Sequence, residues 1–541
     1  MSKTLYLTTP LYYVNAAPHI GHSYTNIAAD CLARYHRLRG EEVFLLTGTD
    51  EHGQKIAQAA AAAGKHPQEF VDGVVPQFEG LWKTLNISYD DFIRTTQERH
   101  VTAVQAMLTT LHADGKLKRA VYQGWYCTPD ETFWTEGELG REPGTAGTPA
   151  CPSCQRPLEQ TTEEGWYLEL RAAQPWLKAF VSSHPAFVRP ESRYNELRSL
   201  LEQPLPEYLC ITRPRNRVPW GIEVPFSREH VVYVWIDALF NYITAPGYVS
   251  EPARFAGLWP ADLHVIGKDI LRHHALYWPI LLKALGFPDE WMPTMIFAHG
   301  WWKVGEQKMS KSMGNIVDPT VVVGRVLADQ PFAADVYRYF LLREVPFGQD
   351  GAFSESALFT RLHADLANDL GNLVNRTLSM LERYCAGQIP QPGPVGCAVE
   401  DEPLQRAAVQ LPGRVEAAMA RIEFSVALDA VMQVVSQANR YIEATAPWKL
   451  AKEEGHLSRL HTVLYVLAEV VRIIAILLEP FMPSVSLEIW RQFGYGDQPR
   501  RWRDASQWGL TDAGQQIGKP SILFPKNQQS PPAPSPQPRA S

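Results

Sequence analysis

Close to the start of the chain, a strand-like segment meets a turn that neither strand nor helix can continue. Thr4-Leu5-Tyr6-Leu7-Thr8-Thr9 alternates apolar and hydroxylated residues, which predicts a β-strand. Pro18 lacks an N–H and pushes Ala17 out of the helical region, so the strand cannot pass through this stretch. From Gly21 to Leu38 apolar residues recur at helical spacing (Ile27, Cys31, Ala33, Leu38), and Gly40 ends the run. A second strand follows at Val43-Phe44-Leu45-Leu46-Thr47. Strand, crossover helix and strand make a βαβ unit, whose ligands collect at the carboxyl ends of the strands. His19 and His22 fall there, with Gly21 between them where a nucleotide could approach the backbone. Two imidazoles at a helix N-terminus can donate to phosphate oxygens, helped by the unpaired N–H groups of the first turn. By itself this turn is equally an ordinary loop with two histidines.

Its counterpart lies far downstream, in Lys308-Met309-Ser310-Lys311-Ser312 followed by Met313-Gly314-Asn315. Two lysines three apart, with hydroxyls and a glycine, suit a loop that neutralises a polyphosphate; alone they also describe a solvated basic turn. Together and in this order, the two segments closely resemble the nucleotide-binding signatures of the class I aminoacyl-tRNA synthetases. The resemblance runs from about Lys3 to beyond Pro483 and narrows to the methionyl branch of that family.

Composition is compatible with this resemblance. A chain of 541 residues is too long for one core, so about three or four structural units are expected. With 45% apolar and 20% charged residues it is an ordinary globular composition. No N-terminal apolar run with a cleavage site marks it for export, and a cytoplasmic location is expected. The most apolar stretch, Val463 to Leu478, carries Glu469 and Arg472 and is too short to span a bilayer, which predicts a buried helix and no membrane contact. Seven cysteines in so long a chain suggest reduced thiols. A net charge of −7 argues against unspecific nucleic-acid binding but leaves room for a local basic surface.

The strand at Val43 leads into Thr47-Gly48-Thr49-Asp50-Glu51-His52-Gly53, and the resemblance implies that Asp50 meets the ammonium of the amino acid. Asp50 could equally cap a helix. Helices are expected over Gln54–Ala63, Pro67–Leu85 and Arg99–Gly115, with a strand at Asp91–Thr95 between them. Near Leu117 the character changes to short strands rich in Gly and Pro. There Cys127-Thr128-Pro129-Asp130 is answered by Cys151-Pro152-Ser153-Cys154. Two such knuckles with four soft ligands signal structural zinc. Asp130 stands where relatives usually have Cys, so a Cys3Asp site is weaker and less zinc-selective. A metal-free knuckle held by its own packing is the other reading. The module resembles the family's connective insertion over the acceptor end of tRNA, and it is too small for an editing domain.

His230 to Ala238 is a near-continuous apolar run, which predicts a parallel strand buried on both faces. Further strands are expected at Asp262–Ile266 and Met295–Ala298. The resemblance places Leu11, Tyr13, Trp235, Ala238, Tyr242 and His299 around the methionine side chain, where aromatic walls favour a polarisable thioether. Trp235 read without it would be a core residue. Leu239 follows Ala238 where the family often has Pro. Beyond the lysine loop the pattern is helical: Leu358, Leu362, Leu366, Leu370, Leu373, Val374, Leu378 and Leu381 form one apolar stripe. Further helices, Phe424–Ala444 and Leu457–Leu478, stop before Pro447 and Pro480. Asn372, Arg376 and Trp448 match family positions that read anticodon bases, and their types suit unpaired bases.

The expected architecture is a doubly wound parallel α/β catalytic domain (1–116 and 226–300) with a knuckle-bearing insertion (117–225). A lysine-signature and linking segment (301–355), an all-α anticodon-binding bundle (356–520) and a disordered tail (521–541) follow. The resemblance implies a two-step reaction. Methionine is activated with ATP to methionyl-adenylate, with His19, Gly21 and His22 holding ATP and Lys308, Ser310 and Lys311 closing on the departing pyrophosphate. The acyl group then passes to the terminal adenosine of methionine tRNAs, initiator and elongator. Magnesium would accompany ATP, one zinc could sit in the knuckle, and a monomer is the simpler expectation. The histidine turn would also serve a small-molecule nucleotidyltransferase, but that enzyme has no use for a bundle carrying Asn372, Arg376 and Trp448. A tRNA-binding protein that has lost catalysis is a third reading, although both signatures keep their residue types.

Overall fold

The fold is that of a computed structural model describing residues 3–134, 136–139, 147–152, 154–304, 307–308, 316–393, 399–496 and 498–526, with the backbone alone at Gly137, Glu138, Gln307, Lys308 and Glu454. Its contacts divide the chain into two units: residues 1–18, 42–82 and 88–299, and residues 19–41, 83–87 and 300–541.

The first unit is built on a parallel sheet. Leu5–Thr8 lies between Val43–Asp50 and Leu263–Gly267, with Leu7 opposite both Leu45 and Leu263. Asp91–Arg94 and the two-residue strand Tyr12–Tyr13 pair with Val43–Asp50, and Ile296–His299 pairs with Leu263–Gly267. Strand order therefore reverses beside Leu5–Thr8, the arrangement in which open α/β sheets bind ligands beyond the carboxyl ends of the strands. The inner strands carry Tyr6, Leu7, Leu45, Leu46, Val265, Ile266, Phe297 and Ala298, all buried, as apolar runs covered on both faces require.

The inserted region departs from the short strands expected. Leu117–Cys127 and Glu159–Glu169 form one long antiparallel ribbon, in register from Leu117 opposite Leu168 to Tyr126 opposite Glu159. Cys127 ends the first strand, so the ribbon presents the knuckle at its tip. Two helices follow, Gln174–Ser183 and Glu191–Glu202. Between them the chain returns to the parallel sheet, where Val188–Arg189 pairs with Ile296–Phe297.

The run His230 to Ala238 is not a parallel strand. Ser227–Val232 pairs antiparallel with Thr212–Pro214 and Glu223–Val224, and the chain then turns into a helix, Val234–Thr244. A run that is apolar without a period fits a buried helix as well as a buried strand.

The second unit is helical. Ile20–Leu38 is held by Ser23, whose hydroxyl is 2.8 Å from that of Tyr337, and by a buried pair of Asp30 with Arg338 at 2.7 Å. Arg338 also donates to the carbonyls of Pro480 and Phe481, each at 3.0 Å, and of Leu85 at 3.2 Å. Glu355–Arg361, Leu362–Gly371 and Asn372–Cys385 run on as one helical path whose middle segment has wider, π-type turns. The repeat of four in Leu358, Leu362, Leu366 and Leu370 would drift around a regular α-helix. Wider turns hold it to one side, and all eight predicted stripe residues are buried. Leu457–Leu478 is long and apolar enough to cross a membrane, but 89% of its most apolar window is buried inside the protein. It is a core helix, as expected from its charged pair. Residues 527–541 of the expected tail lie outside the described residues.

Candidate functional site

In the first unit, polar residues gather where the sheet strands end. Asp50 is the last residue of its strand and 7% exposed. The next helix, Gln54–Ala62, has Gly53 as its N-cap, so Asp50 is not a helix cap. Among the described residues nothing hydrogen-bonds its buried Oδ1. Burial, then the nearby charges of Asp237 and Glu131, push this carboxyl well above its usual range. A cation placed against it would favour the ionised form and supply the missing partner.

Tyr13 flanks this position. Its hydroxyl donates to Glu131 Oε1 at 3.1 Å, an oxygen that also accepts from the backbone N–H of Lys55 at 2.9 Å. Gly53 is required beside them. Its φ is +106°, and a Cβ there would lie 2.5 Å from the Tyr13 hydroxyl and 2.7 Å from Glu131 Oε2. Leu11, Tyr13 and Trp235 are partly buried against the main core of this unit.

The helix Val234–Thr244 carries three predicted residues. Trp235 stacks on His273 with centroids 3.8 Å apart, and its indole N–H donates to the carbonyl of Asp130 at 3.4 Å. Ala238 is half-buried one turn on. Tyr242 is buried, with its hydroxyl 2.7 Å from His274 Nε2. His274 Nδ1 lies 2.9 Å from the carbonyl of Ile270 and must donate to it, so Nε2 accepts from Tyr242. Burial lowers His274 to about 4, so the ring is neutral near pH 7. Leu239 is buried in the core. His299 is buried at the end of its strand, opposite Gly267. The imidazole at the Tyr242 hydroxyl is that of His274, which sequence reasoning missed. The available signal was the pair His273-His274 inside an apolar run after the strand that ends at Gly267. Also missed were Glu131 and a buried chain of His52, Asp237 and His100, whose signal was an acid inside the apolar run Val234–Phe240.

In the second unit, His19 is the N-cap of Ile20–Leu38. Its Nδ1 accepts from the N–H of Gly21 at 3.1 Å, and His22 Nδ1 accepts from the N–H of His19 at 3.2 Å. The rings stack at 3.8 Å. With both Nδ1 atoms accepting, each neutral ring carries its proton on Nε2, as a donor. A Cβ on Gly21 would fall 3.0 Å from the His19 ring, so this folded-back geometry favours glycine. Of the lysine signature, the backbone of Lys308 pairs with Lys303; Ser310 and Lys311 lie outside the described residues.

The same unit groups the three residues expected to read bases. Asn372 Nδ2 donates to Asn439 Oδ1 at 3.3 Å, Arg376 pairs with Glu443 at 2.7 Å, and the Arg376 guanidinium lies 5.7 Å from the ring centroid of Trp448.

Cys127, Asp130, Cys151 and Cys154 converge, with one ligand atom from each within 4.8 Å of all the others. Cys127 and Cys154 sulfurs are 3.5 Å apart, and Cys151 Sγ is 3.2 Å from Asp130 Oδ2. Sulfurs around tetrahedral zinc stand about 3.8 Å apart, given Zn–S bonds of about 2.3 Å. The cluster can hold a metal ion.

The chain matches the family described as tRNA synthetases class I (M) over residues 5–378, and the anticodon-binding domain of tRNA ligase over residues 408–524. It is 47% identical to the methionine–tRNA ligase of Caldanaerobacter subterraneus subsp. tengcongensis, over 97% of this chain and 79% of that protein. Against the Bacillus subtilis methionine–tRNA ligase it is 43% identical, over 97% of this chain and 78% of that protein. The fold is similar to that of Mycobacterium tuberculosis methionyl-tRNA synthetase in complex with methionyl-adenylate. The TM-score is 0.90 at 40% identity, over 97% of this chain and 100% of that one. The free form of that enzyme gives a TM-score of 0.82 at 37% identity, over 98% of this chain and 99% of that one. A match of this length, on a chain that pairs a doubly wound sheet with a helical bundle, means that the chain belongs to the methionyl-tRNA synthetase family of class I aminoacyl-tRNA synthetases.

Proposed function

We infer that the chain activates methionine with ATP and transfers it to the 3′-terminal adenosine of methionine tRNAs, initiator and elongator. The methionine carboxylate attacks the α-phosphate; a C–O–P linkage forms, the bond to the β-phosphate oxygen breaks, and pyrophosphate leaves. A ribose hydroxyl of the tRNA then attacks the acyl carbon, and AMP leaves. No side chain is needed as nucleophile, so rate comes from positioning and charge stabilisation. The observation that carries this reading is the buried Oδ1 of Asp50, without a partner among the described residues and so a seat for the substrate ammonium. Trp235, Ala238, Tyr242, Leu11 and Tyr13 would enclose the thioether chain, with His274 orienting the Tyr242 hydroxyl. His299, at the end of its strand, would also contribute to the methionine side-chain site. His19 and His22 would donate from Nε2 to ATP phosphates, with Gly21 admitting close approach, and Lys308, Ser310 and Lys311 would meet the pyrophosphate. Magnesium accompanies ATP. Cys127, Asp130, Cys151 and Cys154 would hold one structural zinc, stiffening the tip of the insertion (117–225). Asn372, Arg376 and Trp448 of the bundle (356–520) would take anticodon bases, the indole by stacking and the amide and guanidinium by edge contacts.

ATP–pyrophosphate exchange by Asp50→Asn tests the reading. The KM for methionine should rise by roughly 100-fold with the KM for ATP within a few-fold, since a charged partner of a buried ammonium is lost. An unchanged methionine KM in a folded variant overturns the assignment.

A further inference from the structure

We propose that Asp237 is a positioning residue that sets the distance between the ammonium seat at Asp50 and the side-chain wall on the helix Val234–Thr244, and so tunes which amino acids are accepted. The inference rests on the reading that Asp50 and this helix hold methionine. Asp237 is 1% exposed, and each of its oxygens is taken by a different imidazole. His52 Nδ1 is 2.7 Å from Oδ2, and His100 Nε2 is 2.7 Å from Oδ1. A carboxylate only accepts, so both rings donate to it. His100 Nδ1 is in turn 2.8 Å from the hydroxyl of Thr244, back on the helix that carries Asp237.

The placement of the three partners is what matters. His52 stands two residues after Asp50, in the turn that ends the strand Val43–Asp50. His100 lies on the helix Glu98–Ala113 and is fully buried. Asp237 sits between Trp235 and Ala238 in sequence, yet its side chain engages the other two elements instead of joining their wall. One carboxylate thereby ties the element that ends in the ammonium seat to the element that carries the thioether wall. An amino acid held at both ends is measured by that separation, and a shift of well under an ångström is enough to alter discrimination. Burial alone would raise the Asp237 carboxyl, but the charge and hydrogen bonds of His52 and His100 hold it below its usual value, consistent with an ionised clamp.

The test is ATP–pyrophosphate exchange by the full chain, with methionine, the longer ethionine and the shorter homocysteine as substrates. Asp237→Asn should raise the methionine KM about tenfold with kcat within about threefold. The preference for methionine over ethionine should narrow by a similar factor, and the KM for ATP should stay put. A folded Asp237→Asn with an unchanged ratio and KM overturns the proposal. If Asp237→Asn does not fold, His100→Ala and His100→Gln decide. The glutamine amide can reach the position of Nε2, so Gln should recover most of the discrimination that Ala loses. Equal loss in both means that His100 merely fills space, which also overturns it. Asp50→Asn separates the two levels. If it leaves the methionine KM unchanged, the seat itself is misassigned; if it raises that KM while Asp237→Asn changes nothing, only the present inference fails.

Discussion

Among the described residues, two buried carboxyls lack a partner on one oxygen, and they differ in what can relieve them. Asp50 is the last residue of its strand, and in the proposed function the substrate ammonium supplies its partner. Asp335 lies inside the helical unit, where Oδ2 accepts from the N–H of Val485 at 2.7 Å and Oδ1 has none among the described residues. Burial raises its carboxyl to about 6, with Arg338 opposing the shift. A folded pKa above the unfolded value near 3.8 means that the folded chain holds this proton more tightly. The resulting stabilisation is full below the unfolded value and is lost as pH rises through about 6. Asp335→Asn should remove that slope, worth on the order of 3 kcal/mol for a carboxyl raised from about 3.8 to about 6. Melting curves of parent and variant from pH 4 to 7 check it, with the variant gaining on the parent as pH rises. A constant difference across that range would contradict it.

Helix Leu457–Leu478 shows how a charged pair can be built into a core. Arg472 donates to Glu469 at 3.0 and 2.9 Å, and to the carbonyls of Asp504 and Gln507 at 2.8 and 2.7 Å. Glu469 accepts in return from the N–H groups of Gly509 and Thr511. The pair therefore pins the 504–511 segment to the helix. Arg472→Met leaves Glu469 buried and uncompensated, which should cost about 3–5 kcal/mol. Replacing both partners by apolar residues should cost less than the single change. Denaturant unfolding, with limited proteolysis near residue 509, reads both outcomes. If the tip of the insertion's ribbon is held by zinc, elemental analysis should find one metal per chain, removable by mild chelation with a lower melting temperature. Asp130→Cys should then require at least about tenfold more chelator, since a fourth thiolate suits zinc better than an oxygen.

For the whole molecule, the proposed division of labour assigns amino-acid selection to the first unit and anticodon reading to the bundle. Trp448→Ala should weaken tRNA by the value of one base stack, about 1–3 kcal/mol, or roughly fivefold to 150-fold in affinity. Aminoacylation at limiting tRNA should fall accordingly, while tRNA-independent ATP–pyrophosphate exchange stays near normal. A parallel fall of both activities in a folded variant would make Trp448 a structural support.

Much of this was legible along the chain. The strand, the histidine turn and the helix Ile20–Leu38 follow from alternation, from Pro18 and from helical spacing, all of which act between near neighbours. The core helix Leu457–Leu478 and the stops before Pro447 and Pro480 follow for the same reason. Asp50, Trp235 and Tyr242 are nominated by the family resemblance; residue type and strand end alone leave Asp50 open to a capping role and Trp235 to the core. Tertiary structure alone decided whether Val234–Thr244 is strand or helix, because an apolar run without a period carries no directional information until its neighbours pack on it. It also decided that His274 meets the Tyr242 hydroxyl, and that Val188–Arg189 rejoins the main sheet from inside the insertion. The clamp on Asp237 is the clearest case. Its partners lie 185 and 137 residues away, and only the packing of two helices and a strand end brings two imidazoles to one carboxylate.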